Sequence, residues 1–122
     1  MSSIVWFEIP ADDIERAKSF YGELFGWKIE RLPGLAEYWH IDTGGSDETP
    51  DGGLLKRQNA QHQDITNYVG VKSIDESAAK VAQLGGKICT PKTAVPQMGY
   101  FAVCQDPENN TFALWERNDG AK

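Results

Sequence analysis

The sequence predicts an α+β protein of two βαβββ modules that form a curved, cleft-enclosing mixed sheet with the helices outside. The order strand, helix, three strands occurs twice along the chain, offset by about 60 residues, so that Ile14 corresponds to Ile74. A chain of 122 residues suits one compact domain. We therefore place module one at about residues 1–60 and module two at about residues 61–118.

Module one starts with β-forming residues at Ile4–Ile9, a run that ends before Pro10. Asp12 and Glu15 have the spacing of a capping box, and the apolar residues that follow recur at helical intervals. Gly26 supplies the stop of this helix. The rest of the module is predicted as three strands and one surface loop: Trp27–Glu30, Tyr38–Asp42, the loop Gly44–Gly53, and Leu54–Arg57.

Module two repeats this order from a strand at Thr66–Val71. Ser73 and Glu76 form a second capping box, and Gly85-Gly86 ends the second helix. Three strands complete the module, the last two joined by the turn Asp106–Asn110: Ile88–Thr90, Tyr100–Cys104 and Thr111–Glu116.

The charge balance excludes several partners. Eighteen acidic residues against twelve Lys and Arg give a formal net charge of −6. Phosphate binding needs clustered cations, so we expect no nucleic acid and no anionic membrane surface as a partner. No stretch has the length of a membrane-spanning helix, and residues 1–13 lack the pattern of a signal peptide. We expect a cytoplasmic protein in which Cys89 and Cys104 are reduced, buried thiols.

Six segments together resemble the vicinal oxygen chelate superfamily, and the glyoxalase-related branch above all. They are Trp6–Pro10, Ser19–Tyr21, Leu24–Trp27, Leu84–Lys87, Gly99–Val103 and Asp106–Asn110. The superfamily contains glyoxalase I, bleomycin-resistance proteins, extradiol dioxygenases and epimerases. The resemblance covers nearly the whole chain and implies paired βαβββ modules around a cleft.

The resemblance also implies where a metal ion would be held. The ligand positions of the metal-dependent relatives correspond here to Trp6, a residue near Gly53, Thr66 and Ala113. Indole, glycine and alanine offer no donor to a divalent metal, and threonine is a weak neutral ligand. We therefore expect neither a metal ion nor another cofactor.

Strand alternation indicates which side chains share the cleft, because successive residues point to opposite faces. Glu8 lies on the same face as Trp6 and is the candidate acid, base or polar anchor; alternatively, it is paired with a cation across the sheet. Tyr100 lies at the rim of the cleft, beside a loop that could gate it. The predicted ligand-binding residues are Trp6, Glu8, Thr66, Tyr68, Tyr100 and Trp115. The alternative is that these aromatic residues only fill the interior.

Three functions remain open. The first is a homodimeric protein that binds a small, aromatic organic ligand without a metal, as the bleomycin-resistance branch does. The second is a glyoxalase-, lyase- or dioxygenase-like enzyme that needs no metal and uses Glu8 as acid or base. The third is an enzyme with relocated metal ligands, for which His40, Glu8 and Glu116 are the candidates.

Overall fold

The computed structural model describes residues 2–33, 37–46, 49–57 and 64–122. Within these ranges the chain forms two helices and eight strands: β1 (Ile4–Ala11), α1 (Ile14–Phe25), β2 (Lys28–Arg31), β3 (Tyr38–Asp42), β4 (Asp51–Lys56), β5 (Thr66–Gly70), α2 (Ile74–Gln83), β6 (Lys87–Val95), β7 (Gly99–Gln105) and β8 (Thr111–Arg117). The predicted α+β class and the predicted order of elements are confirmed. Neither helix is long and apolar enough to cross a membrane.

The chain divides into two compact units. Residues Val5–Ile65 form one unit, here called module one. Thr66–Lys122, together with the residues up to Ile4, form the other, here called module two. The predicted boundary near residue 60 lies outside the described residues.

Module one is a four-stranded sheet in the order β2-β3-β4-β1. β1 runs parallel to β4, whereas β3 is antiparallel to both β2 and β4. One face packs under α1 around Ile9, Ile41 and Leu54, which are all buried. The strands place their alternate residues on the opposite face. We call that opposite face, which carries Trp6, Glu8, Tyr38, His40 and Asp51, the polar face.

The start of α1 differs from the prediction by one residue. Asp13, and not Asp12, is the N-cap, and its carboxylate accepts a hydrogen bond from the backbone N–H of Arg16 at 3.1 Å. Asp12 instead pairs with Arg57 at 3.1 Å. The predicted stop is confirmed, because Gly26 has a left-handed backbone with φ 74°, which glycine adopts at little cost.

Module two has the strand order β5-β8-β7-β6, with β5 parallel to β8 and the other pairs antiparallel. Its core comprises Ile74, Ala102, Cys104 and Leu114. The predicted cap of α2 is confirmed, since the side chain of Ser73 accepts a hydrogen bond from the backbone N–H of residue 76 at 3.2 Å.

Strand β4 starts at Asp51, inside the segment predicted as a loop. Glycines disfavour strands, but here each makes room for an aromatic ring. A Cβ on Gly52 would overlap the ring of Phe7, and a Cβ on Gly53 would overlap the ring and hydroxyl of Tyr38. Neighbouring strands thus fill both faces of this glycine pair.

Strand β6 extends to Val95, five residues past the predicted end. It lies at the end of the strand order, and its register shifts between Ile88 and Thr93, which accommodates Pro91. The prediction that both thiols are buried is wrong for one of them. Cys104 is buried, whereas Cys89 is exposed where the register shifts.

Candidate ligand-binding face of module one

The polar face of module one joins three strands. Trp6 and Glu8 come from β1, and in the parallel pairing with β4 they lie opposite Asp51 and Gly53. His40 of β3 also lies opposite Gly53, from the other side of β4. Trp6 and Glu8 share this face, as their alternation predicts, because both side chains reach one hydroxyl from β3.

That hydroxyl belongs to Tyr38. It accepts a hydrogen bond from Nε1 of Trp6 at 2.9 Å and donates one to Oε2 of Glu8 at 2.8 Å. Burial raises the pKa of Tyr38, and the nearby charge of Glu8 raises it further, while the bond from Trp6 lowers it in part. The phenol therefore keeps its proton at neutral pH and remains a donor to the Glu8 carboxylate.

An aromatic stack continues the same face. The ring centroids of Trp6 and His40 are 5.7 Å apart, and the angle between the two ring planes is 9°. Nε2 of His40 lies 3.3 Å from a carboxylate oxygen of Asp51, and both side chains keep 35% of their surface exposed. Asp51 is itself held by the backbone N–H and the hydroxyl of Thr43, at 3.1 and 3.2 Å. His40 is thus oriented by a ring on one side and a carboxylate on the other.

The hydroxyl of Tyr38 also fills space that a side chain at position 53 would need. The family resemblance implies metal-ligand positions at Trp6 and near Gly53. Here the indole N–H of Trp6 donates to the Tyr38 hydroxyl, which lies directly above Gly53. At these two positions the protein thus presents a hydrogen-bonded phenol.

Four predicted binding residues lie in module two, and three of them share one face of its sheet. Tyr68 pairs with Ala113, and Trp115 pairs with Gly70, so Thr66, Tyr68 and Trp115 share one face by register. Thr66 is buried. The indole of Trp115 packs over Gly99, where an added Cβ would approach it to 2.8 Å. Thr66, Tyr68 and Trp115 therefore lie on one face of the module-two sheet.

Tyr100 lies on the other face of module two. It pairs with Glu116, whereas Trp115 pairs with Phe101, so Tyr100 and Trp115 point to opposite sides of the sheet. Tyr100 packs against the core under α2, and the Lys92 ammonium lies 4.5 Å from the centre of its ring. The structure therefore separates Tyr100 from the residues with which it was grouped.

The residues considered for a relocated metal site are engaged elsewhere. Glu116 accepts a hydrogen bond at 2.9 Å from the backbone N–H of Ile74, at the start of α2. His40 contacts Trp6 and Asp51. In the part of the chain that the structure describes, no three His, Cys, Asp or Glu side chains lie close enough together to hold a metal ion.

Sequence reasoning missed Tyr38 and Asp51. Tyr38 is two residues before His40 in the same strand, so alternation places the two on one face. The register of β3 against β4 was not available from the sequence, and it is this register that brings Tyr38 to Glu8. Asp51 lies in the segment Gly44–Gly53, whose Gly, Ser, Asp and Pro residues predict a loop.

Comparison with known proteins identifies the family. Residues 3–44 match the family described as bleomycin resistance protein-like N-terminal. A glyoxylase-like domain-containing protein of Didymella fabae is 30% identical over 117 residues, which cover 90% of each chain. The chain belongs to the vicinal oxygen chelate superfamily. The family resemblance read from the sequence is therefore confirmed.

Two further proteins resemble this chain in sequence or in structure. The anthracycline biosynthesis protein DnrV of Streptomyces peucetius is 26% identical over 126 residues; the match covers 92% of this chain but only 46% of DnrV. Methylmalonyl-CoA epimerase from Mycobacterium tuberculosis superimposes with a TM-score of 0.68 at 12% identity, covering 94% of this chain and 87% of the epimerase. At that identity the superposition establishes the shared fold alone.

Proposed function

We propose that this vicinal oxygen chelate protein binds a small, planar organic molecule on the polar face of module one, without a metal ion. The observation that carries the proposal is the Tyr38 hydroxyl, bonded to both Trp6 and Glu8 and seated above Gly53. It gives this face a polar centre made of side chains alone.

The aromatic pair supports a planar ligand. Trp6 and His40 are stacked and half-buried, so a ring laid against either one would extend an existing stack. The carboxylate of Glu8 lies beside them and can accept hydrogen bonds from a ligand's N–H or O–H groups. The Glu8 and Asp51 carboxylates on this face, together with the net charge of −6, favour a neutral or cationic molecule.

The chemistry of the corresponding ligand positions does not fit a divalent metal. The Trp6 indole is a donor and cannot coordinate, and Gly53 and Ala113 have no donor side chain. Ala113 is fully buried, and Thr66 is 7% exposed. The proposal therefore assigns binding to hydrogen bonds and ring contacts.

The names of two similar proteins or families mention organic compounds, and this is the only support that the comparisons give to the proposed ligand class. DnrV is named for anthracycline biosynthesis, and residues 3–44 match a family named for bleomycin resistance. The chain spans less than half of DnrV, so the activity of that protein is carried over only as a guide to which compounds to test.

Thermal melting of the metal-stripped protein tests the proposal. A ligand that binds only the native state raises the melting temperature. At a concentration a hundredfold above its dissociation constant, it increases the free energy of unfolding by about 2.7 kcal/mol. We expect a saturable shift with at least one neutral or cationic planar aromatic compound from a panel. We expect no shift with Mn, Fe, Co, Ni or Zn.

Two variants locate the binding. Trp6→Phe, which removes the indole N–H, should weaken the ligand-induced shift. Trp39→Phe changes a neighbouring residue of β3 that packs on the opposite face, and should leave the shift unchanged. A saturable metal shift that His40→Ala abolishes would overturn the proposal in favour of a relocated metal site.

A second candidate is a metal-independent enzyme with Glu8 as general acid or base. The observation that favours it is the hydrogen bond that the Tyr38 hydroxyl donates to Glu8. Catalytic bases are commonly oriented by a hydrogen bond of this kind from a third group. Glu8→Gln separates the two functions. A binding protein should show a change in affinity alone, whereas an enzyme should lose turnover by about 100-fold or more at unchanged fold.

A further inference from the structure

The two cysteines of the chain lie on neighbouring strands of module two. Cys89 belongs to β6 and Cys104 to β7, and both are free thiols. In the antiparallel pairing of these strands, Ile88 lies directly opposite Cys104. Cys89 therefore follows immediately after the residue that faces the other cysteine. The candidate ligand-binding face of module one contains neither thiol.

A bulge in β6 places Cys89 on the same side of the sheet as Cys104. Ile88 pairs with Cys104, but the next pair joins Thr90 to Val103, so Cys89 is an extra residue in β6. Val103 and Cys104 are consecutive, so Thr90 lies on the face opposite to that of Cys104. Alternation from Thr90 back to Cys89 returns Cys89 to the face of Cys104. In a regular strand the two thiols would lie on opposite faces.

The two thiols are within reach of a disulfide bond. Two residues of a bulged strand oppose one residue of its partner, and directly opposed residues have Cα atoms about 4.5–5.5 Å apart. A disulfide needs a Cα separation of about 4.4–6.8 Å. Burial raises the pKa of the Cys104 thiol, and the nearby charge of Cys89 raises it further, as expected for close neighbours. β6 lies at the end of the strand order, so it can adjust without displacing another strand.

The two thiols differ in their access to solvent. Cys89 is exposed, whereas Cys104 has 0% of its surface exposed. Cys104 packs in the core of module two with Ile74, Ala102 and Leu114. A dissolved oxidant therefore meets Cys89, while Cys104 can react with a group that Cys89 already carries. This arrangement, an accessible thiol beside a second thiol that can resolve its oxidised form, is typical of reversible oxidation sites.

We propose that Cys89 and Cys104 form a reversible oxidation site, in which a hydroperoxide oxidises Cys89 and Cys104 then closes a disulfide between β6 and β7. The Cys89 thiolate attacks one oxygen of the hydroperoxide. The O–O bond breaks, an S–O bond forms, and the other oxygen leaves as an alcohol with the proton that Cys89 released. The Cys104 sulfur then attacks the sulfenic sulfur. The S–S bond forms, the S–O bond breaks, and the hydroxyl leaves as water with the Cys104 proton. A dithiol reductant reverses the oxidation by thiol–disulfide exchange.

Treatment of the intact, reduced protein with hydrogen peroxide tests the proposal. After denaturation without a reductant, the wild-type chain should lack the mass of two hydrogen atoms, show no free thiol and remain a single chain. Dithiothreitol should restore both thiols. In Cys104→Ala the reaction should stop at the sulfenic acid of Cys89, which dimedone traps and peptide mapping locates. In Cys89→Ser the buried Cys104 thiol should remain free under the same treatment.

The double variant Cys89→Ser/Thr90→Cys is the matched control. It keeps two cysteines but moves the outer thiol to the face that points away from Cys104, so it should form no internal disulfide. Cys89 is exposed, so the substitution at this position should leave the fold intact. The proposal is overturned if peroxide leaves both wild-type thiols free, if it links two chains or oxidises Cys89 beyond the sulfenic acid while Cys104 stays free, or if the control closes its disulfide equally fast.

Discussion

The hydroxyl of Tyr38 donates a 2.8 Å hydrogen bond to Oε2 of Glu8. This bond joins β3 to β1 across β4, and it turns a phenol and a carboxylate into one polar unit above Gly53. The chemistry of this face depends mainly on the hydrogen-bonded pair of Tyr38 and Glu8. Substitution of either residue therefore tests the role of the pair.

Removing the Tyr38 hydroxyl should destabilise the fold. Tyr38→Phe leaves both Nε1 of Trp6 and Oε2 of Glu8 without this partner, and we expect a loss of about 1–2 kcal/mol in the free energy of unfolding. Urea denaturation measures it. Tyr100→Phe is the matched control, because the structure gives the Tyr100 hydroxyl no hydrogen bond within the described residues; an equal loss there would contradict the prediction.

Alkaline pH should expose the raised pKa of Tyr38. The unfolded tyrosine loses its proton near the ordinary value of 10.0, while the native residue keeps it to higher pH. The unfolded state then binds fewer protons, so this contribution to stability is complete below the unfolded pKa. It is lost as the pH rises from there through the folded pKa. Between pH of about 9 and about 11, the wild-type protein should lose stability more steeply than Tyr38→Phe.

Ultraviolet absorbance of tyrosinate gives an independent measurement of the same titration. Tyr38 should resist ionisation to a pH well above the ordinary value of 10.0, and comparison with Tyr38→Phe isolates its share of the absorbance change. Glu8→Gln removes the nearby negative charge and should lower the pKa of Tyr38, though burial keeps that pKa above the ordinary value. If the titration of Tyr38 were unchanged in Glu8→Gln, the contact between Tyr38 and Glu8 would be contradicted.

Gly53 and Tyr38 should be energetically coupled. Gly53→Ala places a Cβ where the Tyr38 ring and hydroxyl lie, and should cost about 2 kcal/mol. In a Tyr38→Ser background the same change should cost little, and a double-mutant cycle measures the difference. Gly22→Ala in α1 is the control glycine: its nearest neighbour would be 3.6 Å away, so that change should be neutral or stabilising.

Glu116 should prove structural. Its carboxylate accepts a hydrogen bond from the first backbone N–H of α2, where the helix dipole also favours negative charge. Glu116→Ala should lower the unfolding free energy by about 1–2 kcal/mol. Glu108→Ala, in the exposed turn between β7 and β8, should change it by less than about 0.5 kcal/mol. If Glu116→Ala lowered the unfolding free energy only when a metal ion was present, the structural role of Glu116 would be contradicted.

The two cysteines should react at different rates. Cys89 is exposed, whereas Cys104 is buried, and burial raises the pKa of the Cys104 thiol. A thiol reagent should modify one site in the native protein and both in urea. Mass mapping of the modified peptides identifies the site, and native labelling of Cys104 would count against the predicted difference.

Local signals were sufficient to predict most of the fold. The capping box at Ser73, the stop at Gly26 and the alternation of Trp6 with Glu8 each depend on residues a few positions apart. The cap of α1 is Asp13, and Asp12 pairs with Arg57, which is 45 residues away in the sequence.

The candidate site depends on information that alternation does not carry. Tyr38 meets Glu8 only through the register of three strands, and Tyr100 leaves the predicted group only because Trp115 pairs with Phe101. Gly52 and Gly53 have the composition of a loop, yet they form a strand because rings from two neighbouring strands cover them. Contacts of this kind exist only once the sheet has assembled.

The carbonyl of Ser3 accepts a hydrogen bond at 2.9 Å from the backbone N–H of Gly70. The first residues therefore group with the half of the chain that begins at Thr66. A single cut between the halves cannot release two intact fragments, because one fragment would carry away a piece that belongs to the other. For complementation or circular permutation, the new ends should spare residues 2–4 and keep them joined to the fragment that holds β5.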